Sequence, residues 1–496
     1  MKQKLLTAGV AVLLFAACHG RHENSVISHP EGFPAFPPET VDRVMDMKQM
    51  WAQVGLTTPV LPPHVQDSCR PALCHPTHES MKFWTDVEGY SPASPAGYMI
   101  KRSQWGEWTN FTEDAACIGA YTPIDLLRCD DGTPVRGLKD WKRHRSKELM
   151  RHCREDVWGV IPQAAGQLDI IWTETEEIPS QDRQYTIKDY TGRIDTSSYP
   201  AIRHTPVIRA RLYRPLVKGK VPVIIQLGHS VDSRPSETAL HECLSHHWGY
   251  LVFDCVALQP DNGAFMTDYL IGLVNQGNWR KPQDWGTMAA WSWGISRIMD
   301  HLEHDRTVDA KHIGVTGHSR YGKTALLAMA YEPRLAIAYV SCSGVLGAAP
   351  MRTNWGENME VILSEGSYHW VAGNAFKWVG ALHPQQGAGS QPRRRERLSV
   401  DAHCLLALAA PRPVFITGGT TDSWANPLGM YCTCRDASPV YHLYGKSGLI
   451  MQDRSPVPDK AYIDGSIGYR LHVGGHNDEQ DWPAFAAFAA RCFGGE

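Results

Sequence analysis

Between residues 205 and 341 the chain repeats one pattern: a short apolar run, a turn, then a helix-length amphipathic segment. The runs at 221–227 (VPVIIQL) and 250–257 (YLVFDCVA) are almost uninterrupted in apolar residues, as strands covered on both faces must be. Residues 237–248 and 288–302 have helical spacing, and further strand-like runs follow at 313–316, 336–341 and 414–417. The run at 207–213 alternates instead, which predicts an antiparallel edge. Short buried strands alternating with helices predict an α/β chain on a mostly parallel sheet, with its sites at the carboxyl ends of the strands.

At 496 residues there is room for one large domain of this kind and an extra segment, or for two or three average domains. The composition, 43% hydrophobic and 20% charged, is that of a globular protein. A formal net charge of −3 gives no electrostatic reason to expect nucleic acid or an anionic membrane surface as partner. The 17 tryptophans read first as core and second as sugar-stacking surfaces.

The N-terminus has the layout of an export signal: Lys2 and Lys4, an apolar run at 5–17, and the small-residue end Ala16, Ala17, Cys18. That run is too short to span a bilayer. Cysteine after two alanines resembles a lipoprotein cleavage site, so the expectation is an exported protein, with Cys18 a candidate lipid anchor. Setting Cys18 aside leaves 12 of 13 cysteines, an even number that suits an oxidising compartment, with Cys69–Cys74 or Cys117–Cys129 as possible bridges. Cys432 and Cys434 lack the spacing and the second half of a metal-binding pair, so no metal is expected. Residues 19–118 are rich in Pro, His and Trp with poor periodicity and read as an irregular extension. The expected division is therefore 1–18 signal, 19–118 extension and 119–496 main domain. Within the last, 140–160 reads as a charged, solvated helix laid on a larger body.

The segment GVTGHSRYGKTAL (314–326) satisfies two motifs. From Gly317 to Thr324 it is G-x-x-x-x-G-K-[ST], a phosphate-cradling loop. Centred on Ser319 it is a nucleophile elbow whose second glycine comes one place late. A phosphate loop wants a later strand ending in Asp to hold magnesium, and the run at 336–341 ends in Ser341, Cys342 and Ser343 instead. The elbow wants an acid and then a histidine after later strands. Asp422 follows the run at 414–417, and His476 follows Gly474 and Gly475. Each alone has an ordinary explanation, as a turn cap, a satisfied histidine or a small turn residue. In order and at strand ends they select Ser319 as nucleophile, His476 as base and Asp422 as the acid that orients it.

At this point the chain resembles carbohydrate esterase family 15, the glucuronoyl esterases, closest to the bacterial members. The resemblance covers 121–496 and rests on ordered motifs: DGTPV (131–135), Asp140-Trp141, WGTMAAW (285–291), GHSRYGKTA (317–325), Gly356-Glu357, His369-Trp370, Asp401, His403, Asp422-Ser423-Trp424 and Gly475-His476 with Asp481-Trp482. It implies an α/β-hydrolase fold, a three-layer sandwich, that cleaves the ester between (4-O-methyl-)glucuronic acid of glucuronoxylan and an alcohol of lignin. No cofactor is implied. Carried over residue by residue, Arg320 is the oxyanion stabiliser, Lys323 and Glu357 hydrogen-bond the uronate hydroxyls, and Trp424 packs beside the sugar. Many members keep their acid as Glu just before the Ser-Gly of the next strand. Here that position is Cys342, which leaves the role to Asp422. The rivals are another plant-polysaccharide esterase (pectin methyl, acetyl or feruloyl) and a catalytically impaired polysaccharide-binding homologue. The compartment implied is periplasm, outer membrane or medium.

Overall fold

The computed structural model describes residues 122–353, 356–363, 366–378, 397–453 and 455–493, together with Asp46, Met50 and Gln53. The expected signal, most of the extension, and Cys18, Cys69, Cys74 and Cys117 lie outside the described residues.

The described strands form one sheet. Antiparallel pairing joins β1 (Ile170–Glu174), β2 (Ile178–Pro179), β3 (Tyr185–Ile194) and β4 (Val207–Pro215) at one side. The centre is parallel: β5 (Val221–Gly228), β6 (Gly249–Asp254), β7 (Val308–His318), β8 (Ile337–Ser341), β9 (Val414–Gly419) and, after the two-residue β10 (Ala461–Tyr462), β11 (Ile467–His472). Across the sheet the order is β1-β3-β4-β6-β5-β7-β8-β9-β11-β10. The expected α/β architecture stands, with one correction. β4 is not an edge, because β3 pairs with its outer side over residues 185–193. Its alternation reflects one wet face rather than an edge position.

Helices cover both faces. Along β5, Val223 and Ile225 point into one core and Ile224 into the other, the two-residue alternation of a strand. After α1 (Ser146–His152), α2 (Glu237–Ser245) lies on the Ile224 side. On the other side are α3 (Thr287–Leu302), α4 (Arg320–Tyr331), α5 (Ala402–Ala409) and α6 (Pro427–Leu443). The last, α7 (Trp482–Phe493), returns to the Ile224 side, where Trp482, Phe485 and Phe488 pack on Tyr339 and Phe415. Trp141, Trp158, Trp285, Trp291 and Trp482 are among the largest fully buried side chains, so much of the tryptophan content is core.

The segment read as a solvated helix is helical from 138 to 158, but it mixes α and π turns. Apart from Trp158 at its end, its buried residues Trp141, Arg145, Leu149, Cys153 and Val157 recur every four positions. A four-residue stripe drifts around a 3.6-residue helix, and interposed wider π turns bring it back onto one face. Sequence periodicity found the helix and missed that stripe.

Two further expectations meet the structure here. Cys129 is a free buried thiol, as are Cys153, Cys243, Cys255, Cys342, Cys404, Cys432 and Cys434, so the Cys117–Cys129 bridge is not formed. The extension is not irregular throughout. Asp46, Met50 and Gln53 are helical, and Asp46 pairs with Arg280 at 2.7 Å with both side chains fully buried. Arg280 also donates to the carbonyls of Trp285 and Val371. Among the described residues no helix is long and apolar enough to cross a membrane.

Candidate active site

Ser319 comes directly after β7 and caps α4, with φ 58° and ψ −124°. A non-glycine residue there carries strain of about 1–3 kcal/mol, held because the surroundings fix it. Its N–H donates to Ser341 O at 3.0 Å and its carbonyl accepts the Lys323 N–H at 3.0 Å, so the turn is pinned to β8 and to the helix. A Cβ on Gly317 would come within 2.3 Å of the Tyr321 carbonyl, and one on Gly322 within 2.7 Å of Ser341 O. The late glycine is therefore the one that lets α4 start against β8, and the turn is an elbow rather than a phosphate loop.

Asp422 follows β9 and His476 follows β11, where Gly474 turns the chain at φ 136°. His476 Nδ1 lies 2.7 Å from Asp422 Oδ2. Asp422 is buried, its carboxylate held by His476 and by the Ala425 N–H. Burial pulls the His476 pKa down, but the charge and hydrogen bond of Asp422 outweigh it and leave it raised. Burial likewise opposes ionisation of Asp422, and the imidazole overcomes it, so that carboxyl is lowered. No hydrogen bond joins Ser319 Oγ to the ring among the described residues. In unliganded hydrolases that bond is commonly long and closes with substrate.

A second histidine lies beside the first. The His318 ring is 4.4 Å from that of His476, and its Nδ1 is 3.1 Å from Ser341 Oγ. Burial, then the neighbouring His476, pushes its pKa down to about 3, so His318 is neutral near pH 7. Cys342 is buried with φ 44°, its Sγ donating to Asn477 O at 3.5 Å. Burial and the Asp422 charge push its thiol well up, so it is protonated and is no substitute for a carboxylate. Cys342 Sγ, an Asp422 oxygen and a His476 ring nitrogen lie within 4.8 Å of one another, the one such potential metal-holding group among the described residues.

Arg320, next to Ser319, donates to Asp261, and its guanidinium lies 5.3 Å from the centroid of the Trp370 ring. Asp261 also holds His369 Nε2 at 2.8 Å and Trp370 Nε1 at 2.5 Å. Burial alone would favour its neutral form, but Arg320 and these bonds hold it well below the usual carboxylate range. Sequence reasoning missed Asp261. It follows β6 by a few residues, at a strand's carboxyl end, which was the available signal.

Lys323 is buried, with Nζ donating to Ser343 O at 2.7 Å, to Val345 O at 2.6 Å and to Glu357 Oε2. All three ammonium protons are thus engaged. Burial lowers its pKa against the pull of Glu357. The same Glu357 oxygen accepts the Val345 N–H, and the Glu357 N–H donates to Trp424 O at 2.8 Å. Trp424 itself is half-buried. The structure thus joins Glu357 to Lys323 and to the loop of Asp422 and Trp424, but gives Lys323 no spare donor for a ligand.

Comparison with known proteins finds carbohydrate esterases and glucuronoyl esterases similar to this chain. The family model described as "Glucuronyl esterase, fungi" matches residues 207–445. Carbohydrate esterase MZ0003, from an unknown prokaryotic organism, is 28% identical over 418 residues, 76% of this chain and 91% of that one. A 4-O-methyl-glucuronoyl methylesterase of Schizophyllum commune is 31% identical over 199 residues, 40% of this chain and 44% of its own length. Among solved structures, a glucuronoyl esterase from Teredinibacter turnerae superposes with a TM-score of 0.67 at 28% identity, covering 84% of this chain and 99% of that one.

Proposed function

The chain belongs to carbohydrate esterase family 15, the glucuronoyl esterases, and on that basis we propose that it hydrolyses esters of (4-O-methyl-)glucuronic acid in glucuronoxylan through a serine acyl-enzyme. The observation that carries the reading is the 2.7 Å bond between His476 and the buried Asp422, at the strand ends beside a strained Ser319.

In this reading His476 Nε2 takes the Ser319 hydroxyl proton as Oγ attacks the uronate carbonyl. Asp422 keeps the proton on Nδ1 and stabilises the imidazolium that forms. Arg320, aimed by Asp261, offers a fixed cation to the oxyanion in a partly dry cleft. His476 then returns the proton to the leaving alcohol, and water repeats the sequence on the acyl-enzyme. His318, neutral beside the imidazolium, adds no opposing charge. Glu357 Oε1, free of the bonds that engage Oε2, is the acceptor for a sugar hydroxyl. Lys323 acts by holding Glu357, a revision of the direct contact expected from sequence. Trp424 supplies an apolar face next to the sugar.

We further infer export, with Cys18 as a lipid anchor, and a hydrolase domain beginning near residue 119 with the extension docked on it through Asp46. Turnover of benzyl glucuronate set against methyl galacturonate and acetyl-xylan tests the substrate class, with Ser319→Ala as control. Preference for galacturonate or acetyl esters would move the protein to another esterase specificity. Full turnover by Ser319→Ala would end the serine mechanism.

A further inference from the structure

Cys342 stands where the resemblance leads one to expect a carboxylate, and the substitution changes more than the choice of acid. It sets a thiol beside a carboxylate and an imidazole, with one donor atom of each inside a 4.8 Å span. Sulfur, nitrogen and oxygen together are the ligand set of tetrahedral zinc sites. In such a site the ligand atoms stand about 3.3–3.6 Å apart, a separation set by bond lengths of about 2.0–2.3 Å around a tetrahedral ion. A contraction of at most about 1.5 Å, within side-chain reach, converts the present cluster into three ligands of one ion. The His476 side chain is 27% exposed, which gives an ion a way in.

We propose that Cys342, Asp422 and His476 form a binding site for soft divalent metal ions of the zinc and cadmium class, and that occupancy of this site shuts off the enzyme. The ion binds the Cys342 sulfur and releases the thiol proton to solvent. It takes the Nδ1 lone pair of His476, and the ring proton that pointed at Asp422 moves to Nε2. One Asp422 oxygen completes the protein ligands, and water fills the fourth position. Charges and protons balance: one dication enters and one proton leaves. With a proton on Nε2, His476 has no lone pair left to accept the Ser319 proton, so inhibition follows from the tautomer alone. A carboxylate at position 342 would be a harder ligand and less selective for such ions.

The test uses the full chain with Zn²⁺ and Cd²⁺ as probes. Zn²⁺ should inhibit hydrolysis of benzyl glucuronate by the native protein. Cys342→Ser and Cys342→Ala, which leave Ser319, His476 and Asp422 in place, should keep their activity and need at least about tenfold more Zn²⁺, the lower bound for losing even an outer-shell partner. Cd²⁺ should give sulfur-to-metal absorption in the native protein, and the difference spectrum against either variant should isolate the Cys342 contribution. Ser319→Ala should keep that absorption, so the binding result is independent of the esterase reading. Equal Zn²⁺ sensitivity in native protein and both variants would overturn the proposal, as would Cd²⁺ spectra that do not differ. If both variants misfold, Zn²⁺ must still block labelling of native Ser319 by a fluorophosphonate, and unimpeded labelling overturns it.

Discussion

His472 and Asp481 meet at 2.7 Å, both fully buried, and four residues after His472 a second histidine, His476, meets its own aspartate at the same distance. The two pairs do different work. His472 uses Nε2 to hold Gly475 O at 2.9 Å, while Asp481 is also held by Arg470. His472 thus ties down the glycine turn that presents His476.

That brace makes a pH prediction. Burial lowers the His472 pKa, but its bond to Asp481 and that charge outweigh it, and the net shift is upward. A raised folded pKa means the contribution to stability is full below the unfolded value near 6.5 and is lost as pH climbs through the folded one. Denaturant titrations across neutral to alkaline pH should therefore show a stability loss that His472→Gln reduces. An unchanged slope in the variant would show that His472 titrates alike folded and unfolded.

Asp422→Asn should lower kcat by about 10⁴, the usual cost of losing the orienting carboxylate. A loss under about tenfold would point to another carboxylate in that role. In the pH profile of kcat/KM the acid limb reports the protonation of His476. Because Asp422 raises that pKa, the limb of the weakened variant should move to lower pH.

Asp261→Asn removes the charge that aims Arg320 without emptying the space. Misplacement of a catalytic group by about an ångström costs up to about 10² in rate, so kcat should fall by that order with KM little changed. Combined with Arg320→Ala the losses should not add, since both act through one guanidinium. Additive losses would place Asp261 outside the Arg320 function.

Asp46→Ala strips the partner from a fully buried arginine, which should cost about 3–5 kcal/mol in chemical denaturation. Arg280→Met in the same chain should recover much of that, because no bare charge remains. Equal stability of native protein and Asp46→Ala would mean the extension is not docked in solution.

The sheet and the meeting of Asp422 with His476 were legible because strand burial and strand-end placement leave local marks: continuous apolar runs, paired glycines and an ordered serine, aspartate and histidine. The edge assignment of 207–213 failed because β3, the strand that covers it, is partly wet and its sequence carries no continuous apolar run. Asp261 and His472 escaped because their partners lie 59 and nine residues away, and a carboxylate's neighbours are set by packing rather than spacing. Lys323 stands out in the sequence, but its three acceptors are two backbone carbonyls and a carboxylate that only the fold brings together.

The Asp46–Arg280 pair also orders events in time. During synthesis Asp46 leaves the ribosome 234 residues ahead of its partner, too early to find it. Arg280 in turn holds Val371 O, one residue beyond the Trp370 that grips Asp261. The wall behind Arg320 is thus sealed by a segment made early in synthesis. A protein translated past Ser319 but still lacking that docking would have its nucleophile turn encoded and its cation unaimed. Hydrolytic competence should accordingly be among the last properties the newborn chain acquires.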